Sequence, residues 1–429
     1  MPDRIAHPPK TPILICVCLS AAVYVIFLSA RVESKDGHFY DYLDPGGQFA
    51  APANLTHHRF APRAYTKPTD VGWDGQFYYY MADDPFILKD TAQHMDMSIY
   101  RYQRVGFPAF TKLFSLLFLQ NWVSPVLFYF VGLGLILVAT GVGADFLQER
   151  GYSPYYILLW SISYSPLLSL TYGFTDGMAD AFLILSIICL MRKQMLLYVA
   201  CSCMAALSRE AYVLIPTFVA MGCVYLALRS RDFSLRTAGE IILHGLPALC
   251  VVGWQLYVAY RLGGTPVGQG GSGQFIGVPF YSLAVYLADS FHLDSFPTPE
   301  VFIPFAHERG WIQRIGLCLY IAVLIAYLVA AVPAFVRFLK QPSHDVAVMM
   351  GAGFIALAAL YFSLGPVMFW HHVGYAKAIS LFSFAAIFVI VARQGKIGWI
   401  LSLLLLSSSA WGFYLMTLRV PFGVASFAY

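Results

Sequence analysis

Long apolar runs separated by short polar breaks dominate the chain. They fall at residues 12–30, 123–147, 154–172, 176–191, 195–208, 211–229, 237–261, 313–337, 344–366, 374–392 and 397–418. A helix needs roughly 20 apolar residues to cross a bilayer, so most of these runs predict spanning helices. The run 195–208 is short and predicts a thin or partly embedded helix. Residues 107–120 are apolar too, but Lys112 interrupts them and they are too few to span. An interfacial or re-entrant helix is expected there. The pattern predicts an all-α polytopic membrane protein with about 11 transmembrane helices, and roughly 10 to 13 if the marginal runs are counted either way.

Basic residues test this arrangement, because cytoplasmic loops collect Lys and Arg. Arg150, Arg192, Lys193, Arg229, Arg231, Arg236, Arg337, Lys340, Arg393 and Lys396 fall between runs so that one orientation puts all of them on the cytoplasmic side. Arg4 and Lys10 precede the first run, which reads as an uncleaved helix with its basic end inside. The segments 31–104 and 262–314 then become long outer loops. This divides the chain into a membrane module over 1–262 that includes the first loop, an outer loop over 263–312, and C-terminal spanning helices over 313–429.

Composition agrees with this reading. Hydrophobic residues make up 59% of the chain and charged residues 12%. A soluble domain carries about 25% charged residues, so much of this surface is expected to face lipid. The net charge of +4 contains no stretch dense enough to follow a nucleic-acid backbone, and no nucleic-acid partner is expected. All eight cysteines lie in apolar runs, which argues against a disulfide framework or a zinc site. Gly268-Gln269-Gly270-Gly271-Ser272-Gly273 fits a nucleotide-binding glycine pattern. It lies between hydrophobic helices, without the strand and helix that such a site requires, and reads as a flexible outer loop.

The remaining charges gather at the outer ends of the runs. The first loop contains Trp73-Asp74-Gly75-Gln76-Phe77-Tyr78-Tyr79-Tyr80 and closes on Tyr100-Arg101-Tyr102-Gln103-Arg104. Asp74 suits the N-cap of a helix, and the aromatics suit a helix at headgroup level. Asp176 and Asp180 are four apart, hence on one helix face. Arg209 and Glu210 sit between two runs, and His371, His372 and Lys377 open another. Charges near membrane depth face a polar cavity or one another. Structural ion pairs, such as Arg209 with Asp176, are the alternative to a functional cavity.

Trp73-Asp74-Gly75-Gln76-Phe77-Tyr78-Tyr79, Tyr100-Arg101-Tyr102-Gln103-Arg104 and Leu207-Ser208-Arg209-Glu210 resemble bacterial membrane glycosyltransferases of the GT-C superfamily. The likeness extends more distantly to the dolichol-phosphate-mannose-dependent mannosyltransferases of GPI-anchor synthesis. It covers the first half of the chain; the second half matches only in hydropathy and in the placement of His372 and Lys377. The resemblance implies a GT-C-like fold and transfer of a sugar from a polyprenyl-phosphate donor at the outer face of the membrane. The acceptor would be a hydroxyl of a glycan, lipid or protein in envelope glycan or glycolipid synthesis. The setting would be the bacterial inner membrane, with the site on the periplasmic side. Asp74 is then the expected catalytic base. Arg101, Arg104 and Arg209, with Lys377 and His372 behind them, are the expected donor-phosphate ligands. Trp73, Tyr78, Tyr79, Asp176, Asp180, Glu210 and His371 are expected to face substrate. Many members carry a paired acidic motif in the first loop. Here Gly75 follows Asp74 and the nearest pair is Asp83-Asp84, so no residue is assigned to a metal, and Mg or Mn remains an open cofactor. A lipid-linked substrate flippase or transporter and a non-catalytic subunit of a polysaccharide assembly complex are the competing readings.

Overall fold

The computed structural model describes residues 10–34, 43, 45–49, 72–265, 279–284, 311–340, 346–365, 372–392 and 396–419. The architecture is helical, with no strand among the described residues. The first half holds α1 (Thr11–Ser34), α2 (Gly75–Asp83), α3 (Ser98–Tyr102), α4 (Gly106–Leu117), α5 (Pro125–Glu149), α6 (Leu158–Ser161), α7 (Tyr164–Tyr172), α8 (Asp176–Met191), α9 (Met195–Ser208), α10 (Leu214–Ser230) and α11 (Leu235–Leu262). The second half holds α12 (Trp311–Lys340), α13 (Val346–Phe362), α14 (His372–Ala392) and α15 (Lys396–Arg419). Among the described residues, five stretches are long and apolar enough to cross a membrane: Thr11–Ala30, Pro125–Glu149, Glu210–Ser230, Leu235–Leu262 and Ile321–Lys340.

Local chemistry sets several boundaries. Ser124 accepts from the Leu127 amide at 3.1 Å and Pro125 opens the helix, so α5 starts there. Ser234 caps α11 through the Thr237 amide, and Gly263 ends it in the left-handed region that only glycine adopts freely. The apolar run 154–172 is not the continuous helix expected. It is a short 3-10 turn over Pro154–Ile157, then α6, a break at Ile162 and Ser163, and α7. Pro166 explains the break. It has no amide to give the Ile162 carbonyl, and its ring crowds that turn.

The 107–120 segment forms α4, whose 12 residues rise about 18 Å, well short of a bilayer core. Its lysine is accounted for. Lys112 reaches Asp83 at 3.3 Å and the Asn121 carbonyl at 2.5 Å.

The centre of the bundle is α8, buried along nearly its whole length and packed by α4, α5, α7, α9 and α14. The C-terminal helices belong to the same body: α13 lies on α10, and α14 on α7 and α8. The first-loop helix departs from expectation. Every residue of α2 is buried, so it is a core element whose aromatics pack inside the protein and are not presented to lipid headgroups. It is drawn in because Tyr78, Tyr79 and Tyr80 fill space against the bundle while their hydroxyls reach partners. Tyr79 donates to the Val123 carbonyl at 2.9 Å and Tyr80 to the Phe49 carbonyl at 3.3 Å. Gly75 permits the docking, since a Cβ there would land on the Tyr172 carbonyl at the end of α7.

Gly75→Ala is therefore expected to lower stability by at least about 3 kcal/mol, because the obstacle is backbone and cannot swing aside. Thermal unfolding in detergent reads this out, and an unchanged transition would mean that α2 does not seat against α7.

Candidate functional site

The charged residues singled out in the sequence converge at one end of the bundle. Asp74 enters from the start of α2, Arg101 from α3 and Arg104 from just beyond it. Asp176 opens α8, Arg209 and Glu210 follow α9, and Lys377 lies in the second turn of α14. The loop that carries Arg101 and Arg104 is pinned by α11. Trp254 donates to the Tyr102 carbonyl at 2.7 Å, and Tyr257 to the Phe86 carbonyl at 2.6 Å.

Asp74 stands at the N-cap position of α2 but does not cap it. Its backbone is already helical and its side chain makes no capping bond. The carboxylate turns instead to two cations, with Oδ2 at 3.0 Å from Arg101 Nη1 and 3.4 Å from Lys377 Nζ. Burial by itself would raise its pKa. The charges of Arg101 and Lys377, and the Arg101 hydrogen bond, outweigh that and hold the carboxyl well below the usual carboxylate range. The side chain remains 28% exposed, so the pair is reachable from outside.

Each cation here has a carboxylate. Arg101 is 7% exposed and grips Asp96 with a fork, Nε to Oδ1 at 2.9 Å and Nη2 to Oδ2 at 2.7 Å, while its guanidinium lies 5.0 Å from the Phe77 ring centre. Arg104 forms a second fork on Glu210, with both contacts at 2.9 Å, and also donates to the hydroxyls of Tyr100 at 2.8 Å and Tyr78 at 3.3 Å. Burial pushes the Tyr100 hydroxyl up to about 12, so it accepts from Arg104 as a neutral group. Arg209 binds Asp176 at 2.7 Å and donates to the Lys377 carbonyl at 2.6 Å. That last bond ties the end of α9 to α14.

Other expected residues take different places. Asp180 lies one turn deeper, fully buried, and accepts from the Tyr212 hydroxyl and from Trp160 Nε1 at 3.5 Å. Asp176 and Asp180 thus share a helix face but have separate partners. Tyr79 points into the core with 1% of its surface exposed and stacks edge-on against Phe128, away from the cluster. Trp73 joins Tyr172 and Phe174 at ring separations of 5.1 and 6.1 Å, and Lys377 Nζ lies 4.1 Å from the Phe174 ring centre. An aromatic wall therefore flanks the Asp74–Lys377 pair. His371 lies outside the described residues, as does the glycine-rich 268–273 segment, and of His372 only the backbone is described.

Asp96, Tyr172, Phe174 and Tyr361, whose ring centre lies 5.9 Å from the Arg209 guanidinium, are neighbours that sequence reasoning missed. An unpaired acid five residues before Arg101 was the available signal for Asp96. Nothing local marks the aromatic residues in a chain so rich in them. The acidic pair Asp83-Asp84 does not converge on a shared point. Asp83 takes Lys89 at 2.9 Å, Lys112 and the Val123 amide, whereas Asp84 caps the Leu88 and Lys89 amides. No group of three or more potential metal-ligating side chains occurs among the described residues.

Chemically, the arrangement is a half-open set of guanidiniums and one ammonium, neutralised by carboxylates that an anion of similar geometry can displace. Comparisons with protein-family models, curated proteins and solved structures find no match.

Two outcomes follow from the pairing. Arg209→Met leaves Asp176 buried without its cation and should cost about 3–5 kcal/mol in thermal unfolding. Asp74→Asn should melt below the wild type at neutral pH. Pairing lowers the folded pKa of Asp74 beneath its unfolded value, so its contribution is complete above the ordinary value of 3.8 and is lost only as pH falls towards the folded one. The gap between the two proteins should stay constant from neutrality down to about that pH and close below it, measured by melting across a pH series.

Proposed function

We propose that the chain is a GT-C-type membrane glycosyltransferase that transfers a sugar from a polyprenyl-phosphate donor to an acceptor hydroxyl. In this reading about eleven helical segments cross or enter the membrane. The basic clusters at one end face the cytoplasm, and the Asp74 cluster faces the outside of a bacterial inner membrane. The observation that carries the reading is the Asp74 carboxylate, which is partly exposed and held by Arg101 and Lys377 rather than by its own helix.

A double-bridged carboxylate is a weak base. The donor phosphate competes for the same cations, and as Arg101 and Lys377 turn to it, Asp74 loses the charges that depress its pKa. Its basicity then rises when substrate is present. The acceptor O–H gives its proton to Asp74 while its oxygen forms a bond to the anomeric carbon. The bond from that carbon to the phosphate oxygen breaks, and the electron pair leaves on the phosphate, where the arginines stabilise it. One displacement inverts the anomeric centre. Trp73 and Tyr172 offer an apolar face to the sugar ring.

A flippase for a lipid-linked substrate is the second reading. The helix broken at Ile162 and Ser163 and the buried Asp180 beside it favour that one, since transporters build sites from interrupted helices and intramembrane acids.

Asp74→Asn separates the two. Sugar transfer from a polyprenyl-phosphate donor should fall by about a hundredfold or more in a folded variant. Near wild-type transfer would defeat the mechanism, and donor translocation without transfer would favour the flippase. Lys377→Met removes one of the cations that depress Asp74, so the acidic limb of the pH–rate profile should move to higher pH while donor KM rises. A stationary limb would show that Asp74 does not titrate in the rate.

A further inference from the structure

The end of the bundle opposite the Asp74 cluster has the reverse charge arrangement. Helix α10 starts beside Arg209 and Glu210 and runs 17 residues, about 25 Å, to Ser230. There its last turn meets the last turn of α12. The Tyr225 hydroxyl donates to the Leu339 carbonyl at 3.2 Å, the Tyr225 ring lies 6.1 Å from that of Phe338, and Arg229 donates to the Tyr225 hydroxyl at 3.2 Å. This contact assembles Arg229 and Arg231 from one helix end with Arg337 and Lys340 from the other.

None of these four cations has a carboxylate partner among the described residues. The nearby acids are committed elsewhere. Asp232 accepts from the Ser234 amide and the Thr237 hydroxyl, and Glu240 pairs with Arg236. The Asp74 cluster matches every cation with an acid; this end leaves four unmatched among the described residues. Apolar side chains stand beside them. Arg231 takes the left-handed conformation and turns the chain out of α10, after which Phe233 is 71% and Leu235 93% exposed.

We infer that this end is a binding site for an anionic phospholipid. The four cations would hold its phosphates, and Phe233 and Leu235 would enter the boundary between headgroups and acyl chains. The chemistry selects such a lipid because one ligand must supply negative charge and apolar contact at the same level of the bundle. A cluster of exposed cations at helix ends, level with the bilayer surface, is the setting in which headgroup phosphates bind. The inference is independent of sugar transfer; it requires only that the apolar helices sit in a membrane.

The test uses the full chain in nanodiscs of phosphatidylcholine mixed with phosphatidylglycerol, followed by release and native mass spectrometry of retained lipid. Wild-type protein should retain phosphatidylglycerol in preference to phosphatidylcholine. Each cation removed should lower that preference about fivefold. The pairs Arg229→Gln with Arg231→Gln, and Arg337→Gln with Lys340→Gln, should each abolish most of it. Phe233→Ser should weaken retention of both lipids and leave the preference intact. Arg236→Gln, whose partner is Glu240, serves as the charge control and should change little. If either double variant does not fold, the single substitutions, each lowering the preference about fivefold, give the same reading. Equal retention of the two lipids by wild type, or an undiminished preference in either pair, would overturn the inference.

Discussion

A charge withdrawn from water in an apolar bundle must meet a partner or a polar space, because the penalty for leaving it alone is several kcal/mol. At one end of this protein that requirement organises six segments at once. Arg101 joins Asp74 to Asp96, Lys377 joins Asp74 to α14, Arg104 joins the first loop to Glu210, and Arg209 joins α8 to α14. The Lys377–Asp74 contact connects residues 303 positions apart. These pairs add to the hydrogen bonds from Trp254 and Tyr257 of α11 and to the packing of α2 in placing the loop that carries α2 to α4.

The same pairing gives the site its chemical character. Forks on Asp96 and Glu210 hold Arg101 and Arg104 in planar, preorganised geometry, which is what a phosphate needs. In the proposed reaction the donor phosphate would take the place of these carboxylates, replacing one set of charge-assisted bonds with another and exposing little bare charge. At the other end of the bundle Arg229, Arg231, Arg337 and Lys340 have no such acids among the described residues, which is the contrast that the lipid proposal rests on.

Much of the fold was legible because lipid imposes a simple demand on sequence: every backbone amide must be bonded internally, and apolar length reports helix length. Apart from the run broken at Pro166, each apolar run coincides with a helix to within a few residues. The break was readable in principle from that proline. The burial of α2 was not, since Trp73 to Tyr80 has the same composition whether it lies on a membrane or inside a protein. What distinguishes the two is the Tyr172 carbonyl against Gly75, a contact between segments about a hundred residues apart.

The gathering of Asp74, Arg101, Arg104, Asp176, Arg209, Glu210 and Lys377 was expected from the ends of the apolar runs, and their contacts in the structure bring them together. Which acid holds which base was not settled there. Asp74 read as a catalytic base, with an ordinary helix cap as the alternative, and it makes no capping bond but bridges Arg101 and Lys377; Tyr79 read as a binding face and is core, and Asp96 went unnoticed. Hydropathy is a property of each segment and survives in one dimension. Pairing depends on distances of about 3 Å between groups far apart in the chain, and only the tertiary structure decides those.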